Sequence, residues 1–122
     1  MIQYVSTKIV SAWPEARQDQ PGYGVQYADG YKSWSPKAQF EAASIALGNI
    51  DDLEPHQQRM LAELKQLDQR LEALSDFLIN KDAVKIAGLA EVELMGLQLH
   101  AMELYSALLF QRIAKFLDDD ND

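Results

Sequence analysis

Apolar and polar positions change their period twice along this 122-residue chain. Residues 2–13, IQYVSTKIVSAW, are rich in β-branched and aromatic side chains and predict a first strand or pair of strands, ended by Trp13-Pro14. A polar loop, EARQDQP, covers 15–21. Tyr23, Val25 and Tyr27 then alternate with Gly24 and Gln26, the period of a strand with one buried face. Asp29-Gly30 is a short-range hairpin signal that suits a two-residue type I′ turn. Tyr31, Lys32, Ser33 and Trp34 return as the second strand. Ser35 as N-cap and Pro36 at the first helical position open a short helix over 36–47, stopped at Gly48-Asn49.

From residue 51 the period lengthens to that of helices. Asp51-Asp52 opens a long helix with Pro55 in its first turn. Met60, Leu64, Leu67, Leu71, Leu74 and Leu78 recur at alternating spacings of four and three, a heptad seam. Asn80-Lys81-Asp82 breaks it, and 82–89 reads as a loop or short turn ending near Gly88. A second helix over 90–117 repeats the seam with Val92, Met95, Leu99, Met102, Leu109, Ile113 and Phe116. The prediction is α+β: a small antiparallel N-terminal sheet with a short helix, then a long antiparallel helical hairpin. We expect one domain, with 1–50 as the sheet and short helix, 51–117 as the hairpin and 118–122 as an acidic tail.

The last helix is apolar beyond what one partner needs. Leu94, Leu97, Ala101, Leu104 and Leu108 form a further stripe on another face. This predicts a homo-oligomer, at least a dimer, packed through that helix.

Composition narrows the function classes. The formal charge is −8, and residues 51–122 supply all of it with fifteen acidic against seven basic residues. A phosphate-tracking surface for duplex nucleic acid is not expected from such a chain. No apolar run approaches a membrane span and no targeting leader is expected. Cysteine is absent, so there is no disulfide framework and no thiolate metal site, which is compatible with a reducing cytoplasm. His56 and His100 have neither ligand nor triad spacing, and no nucleophile or phosphate-loop motif occurs. We expect no enzyme, no metal and no cofactor.

Gln98, Tyr105 and Arg112 stand seven apart and form one line along the last helix. That line is either a polar strip facing water, with Arg112 complementing the helix dipole, or one wall of a ligand site. In the second case Arg112 would grip phosphate bidentately and Tyr105 would add a flat face.

Two blocks carry a resemblance. Gly22–Glu41, GYGVQYADGYKSWSPKAQFE, resembles a block shared by small tailed-phage proteins. Residues 56–116, a leucine-rich helix, a break and a second segment Leu94–Ile113, resemble a helical module of small phage proteins. Together the two halves resemble the phage anti-Thoeris family, Thoeris anti-defence protein 1. The resemblance implies a non-enzymatic sponge in the cytoplasm of the infected host. It would sequester glycocyclic ADP-ribose, and cyclic oligonucleotides at a separate site of a larger oligomer, for which a hexamer is compatible.

On that basis Tyr31, Ser33 and Trp34 of the hairpin and Gln98, Tyr105 and Arg112 of the helix are the ligand candidates, Arg112 first among them for the phosphates. They would meet between the hairpin of one subunit and the last helix of another. Arg59 and Lys65 are candidates for a second cyclic-nucleotide site, or else ordinary surface charges. Two other classes fit the sequence: an acidic protein-binding inhibitor that mimics DNA, and a structural phage accessory protein without a small ligand. Deleting 118–122 separates the first of these from a sponge, since a mimic would weaken and a sponge would keep its ligand.

Overall fold

A computed structural model describes residues 1–119. The fold is α+β, with a three-stranded antiparallel sheet followed by helices, the longest at the C-terminal end. Residues 120–122 of the anticipated acidic tail lie outside the described residues. The chain divides into two compact units, Met1–Ala46 and Leu47–Asp122.

The first unit is the sheet β1 (Ser11–Pro14), β2 (Gly22–Gln26) and β3 (Lys32–Pro36), with helix α1 (Lys37–Ala43) against β2 and β3. The central strand is β2, paired antiparallel on both sides. Trp13, Gly24 and Trp34 lie in one cross-strand row, and both indoles use the space the glycines of β2 leave. A Cβ on Gly24 would run into the Trp13 ring, and one on Gly22 into the Trp34 ring. The opposite face carries Val25, which is buried, and Tyr23, whose ring stacks on Phe40 of α1 at 4.6 Å between centroids. The Tyr23 hydroxyl donates to Glu41 at 2.9 Å, which pushes its pKa up from the ordinary phenol value.

Local backbone chemistry corrects three expectations. The strand anticipated over 2–13 is confined to Ser11–Pro14, because β2 offers β1 only four positions to pair with. Ile2, Tyr4 and Val5 are exposed. The hairpin turn is not the two-residue type I′ form. Gly30 N–H donates to Tyr27 O and Tyr27 N–H to Tyr31 O, closing a three-residue loop in which Gly30 alone has positive φ (91°). Asp29 instead caps the turn, its carboxylate accepting from Tyr31 N–H at 3.0 Å. Helix α1 begins one residue later than expected, with Pro36 as its N-cap, and ends at Ala43 rather than at Leu47.

A type I′-like turn does occur, between β1 and β2. Gln18 (φ 51°) and Asp19 (φ 62°) both sit in the left-handed region, clamped by reciprocal Arg17–Gln20 backbone bonds. Side chains with a Cβ pay for that conformation, by roughly 1 kcal/mol each. The double variant Gln18→Asn, Asp19→Gly should therefore stabilise the first unit by about 1 kcal/mol. A shift of the tryptophan-fluorescence midpoint to higher urea at unchanged slope would show it.

The second unit holds α2 (Pro55–Leu78), α3 (Ala83–Ala87) and α4 (Leu89–Asp119). Helix α2 does not open at Asp51-Asp52, which lie in a turn, but at Pro55, where Glu54 and Gln57 form a reciprocal capping box; Pro55 is in the first turn as expected. Asn80 receives Asp82 N–H on its side chain at 2.9 Å, and the segment read as a loop or short turn contains α3, whose Ala83 is buried. Gly88, at φ 91°, ends it. Helices α2 and α4 pack on each other along their heptad seams, with Leu64, Leu109 and Ile113 at the centre and Met60, Leu61 and Phe116 around them. Among the described residues no helix is long and apolar enough to cross a membrane.

Candidate functional site

The expected site residues fall into both units. In the first, Tyr31 is exposed beside Tyr27 at the hairpin tip, where Lys8 Nζ stands 5.4 Å from the Tyr27 ring. These residues, with Ala28 and Asp29, line an open depression. Ser33 lies opposite Val25 and is half-buried, whereas Trp34 lies opposite Gly24 on the other face of the sheet. Trp34 is also engaged already. Its indole N–H donates to Glu15 O at 2.7 Å, and the Arg17 guanidinium stands 5.7 Å from its ring centroid. One ligand on one sheet face meets either Tyr31 and Ser33 or Trp34. Glu15 ties this corner together, accepting from Trp13 Nε1 at 3.2 Å and from Arg17 Nε at 3.0 Å; both bonds hold its carboxyl below the ordinary range.

In the second unit Gln98, Tyr105 and Arg112 form the anticipated line on α4, all three exposed. Seven residues of helix rise about 10.5 Å, so Gln98 and Arg112 stand about 21 Å apart along the axis. A compact cyclic nucleotide cannot span that distance, so it can use one end of the line. Tyr105 lies at the seam with α2, where its hydroxyl donates to the Glu63 carboxylate. This bond raises the phenol pKa, and the nearby positive charge of Arg112 opposes the rise. Next to it Ser106 donates to Asp68 at 2.5 Å. The middle of the line is thus committed to holding α4 on α2, and its Arg112 end is open.

Arg112 is one wall of a depression of about 360 Å³ at that end of the hairpin, lined by His56, Gln57 and Met60 from α2 and by Arg112, Lys115 and Phe116 from α4. Spacing along α4 points to Arg112 but not to Lys115 or His56, because their convergence depends on the register of one antiparallel helix against the other. Arg59 and Lys65 are both exposed on α2, yet six residues apart they point about 120° away from each other. They do not form a joint site within one chain.

The exposed stripe is also where the spacing put it. Leu94 (62% exposed), Leu97 (67%), Leu104 (63%) and Leu108 (53%) are largely open on the single chain. By helical rotation this stripe borders the Gln98–Tyr105–Arg112 line.

No curated protein and no solved structure matches the chain. One family model does: Sequestin, over residues 54–115. The match begins at the capping residue of α2, runs through α3 and ends four residues before the last residue of α4. It takes in Gln98, Tyr105, Arg112 and the depression except for Phe116, and leaves the Gly22–Glu41 block outside. Since it spans just over half of the chain, this protein belongs to the Sequestin family.

Proposed function

We propose that this protein is a phage anti-defence sponge that binds a cyclic nucleotide second messenger and holds it without degrading it. The observation that carries the reading is the Sequestin match on the helical unit, a family whose name speaks of sequestration. The site chemistry agrees with it. A sponge needs walls formed before the ligand arrives, and helices locked by Tyr105–Glu63 and Ser106–Asp68 supply them. The open cations at the hairpin end suit phosphates, and Phe116 and Met60 beside them suit an apolar or aromatic moiety.

The messenger in this proposal is of the cyclic ADP-ribose type, glycocyclic ADP-ribose above all, with cyclic oligonucleotides as a second class. Its removal would block Thoeris signalling in the cytoplasm of the infected host. The protein would act as a homo-oligomer through the leucine stripe of α4. Its spacing of three and four is a heptad seam, and small Ala101 at its middle lets an identical helix approach closely about a two-fold axis.

The test is direct. Purified protein is mixed with the product of an activated TIR-domain enzyme, filtered, and heat-denatured. Depletion of the messenger from the filtrate, followed by its intact release on heating, is the expected result. Release of hydrolysed product would make the protein an enzyme, and absence of depletion would overturn the proposal.

A further inference from the structure

The hairpin-end depression stands apart in charge from everything around it. Acidic residues outnumber basic ones about two to one over 51–122, yet no carboxylate lines this depression, and Arg112, Lys115 and His56 all do. Among the described residues the only ion pair is Arg17–Glu15, in the other unit, so Arg112 and Lys115 line the depression without forming a salt bridge to a described carboxylate. Cations that serve only a helix dipole sit in the last turn, where that field is felt. Arg112 is seven residues before the end of α4, outside that turn. The remaining walls are Gln57, whose carbonyl oxygen is occupied by Glu54 N–H at 2.9 Å, and apolar Met60 and Phe116.

Three basic side chains on one concave surface, with no carboxylate among its lining, form a local anion-attracting patch on an otherwise acidic unit. We infer that the His56–Arg112–Lys115 corner is a phosphate site, made for the diphosphate of a ligand whose apolar or aromatic part rests on Met60 and Phe116. Arg112 supplies a planar fork that can take two phosphate oxygens, and Lys115 supplies a point charge on a flexible stem. This deepens the proposed function: it rests on that reading for the ligand's identity, and it places the phosphates at the hairpin end, away from Gln98.

The probe is inorganic pyrophosphate, titrated calorimetrically into the full chain, with ADP as a second probe. Saturable binding is expected, with ADP tighter because its nucleoside adds contact with Phe116. The double variant R112Q/K115Q should weaken pyrophosphate at least tenfold. R70Q/K81Q removes the same net charge at exposed positions away from the depression and should leave binding within about twofold. H56Q, which keeps a polar side chain, tests the α2 contribution and should weaken binding by a smaller factor. Circular dichroism of each variant controls for folding.

Absence of pyrophosphate binding, or equal weakening by both double variants, would overturn the site. The messenger-depletion assay on the same variants separates the two ideas. Pyrophosphate binding without messenger capture would leave the site standing and refute the sponge. Messenger capture that survives R112Q/K115Q would leave the sponge standing and refute the site.

Discussion

The double variant Leu97→Glu, Leu104→Glu should run as a monomer where the unaltered protein runs as a dimer or larger assembly. Both leucines are about two-thirds exposed on the isolated chain, and neither belongs to the core centred on Leu109 or to the hydrophobics packed against it. Burying one such side chain against a partner is worth on the order of 1.5 kcal/mol, and a two-fold contact counts each residue twice. The variant removes those four contributions and sets four carboxylates across one seam. A loss of at least about four orders of magnitude in association is therefore expected. Light scattering during gel filtration at micromolar concentration reads the outcome directly, with unchanged helical circular dichroism as the folding control. A clean monomer for the unaltered protein would refute the assembly.

The same face separates what the residues alone could tell from what they could not. The seams of α2 and α4 were legible because a heptad is a property of one helix, repeated often enough to outweigh any single exception. The excess stripe on α4 was legible for the same reason. Turn type was not. Asp29-Gly30 marks the place of the hairpin, but whether one or both residues take positive φ is decided by the register of Tyr27 on Tyr31. Gln18-Asp19 carries no glycine or asparagine, so nothing local announces that the reciprocal Arg17–Gln20 bonds force both residues left-handed.

The N-terminal residues show the limit from the other side. Ile2, Tyr4 and Val5 have strand-forming side chains, but a strand also needs a partner, and β1 pairs only from Ser11. The candidate site divides in the same way. Gln98, Tyr105 and Arg112 could be placed on one line from spacing alone. That Tyr105 is spent on Glu63, and that Arg112 meets Lys115 and His56, follows only from how α2 lies against α4. Ser33 and Trp34 could have been separated from the sequence, since neighbours in a strand face opposite ways.

A second large effect is expected from Leu109→Ala. Leu109 is 3% exposed and packs with Leu64 and Ile113 at the centre of the hairpin seam, so truncation leaves a cavity that rigid helices cannot close. Losses of about 2–5 kcal/mol are typical of such sites, and in a unit of this size that lowers the thermal midpoint by about 10–30 °C. Leu104→Ala provides the contrast, because its side chain is exposed on the single chain and buried only if a second copy covers it. Its cost should be near zero for the monomer and should appear through association, since binding to the folded state stabilises by mass action. Thermal scans from about 1 to 100 micromolar decide the matter. The unaltered protein should gain stability with concentration, Leu104→Ala should lose much of that dependence, and Leu109→Ala should be lowered at every concentration. If Leu104→Ala instead matched the unaltered protein throughout, the leucine stripe would face water and the assembly would have to be built on another surface.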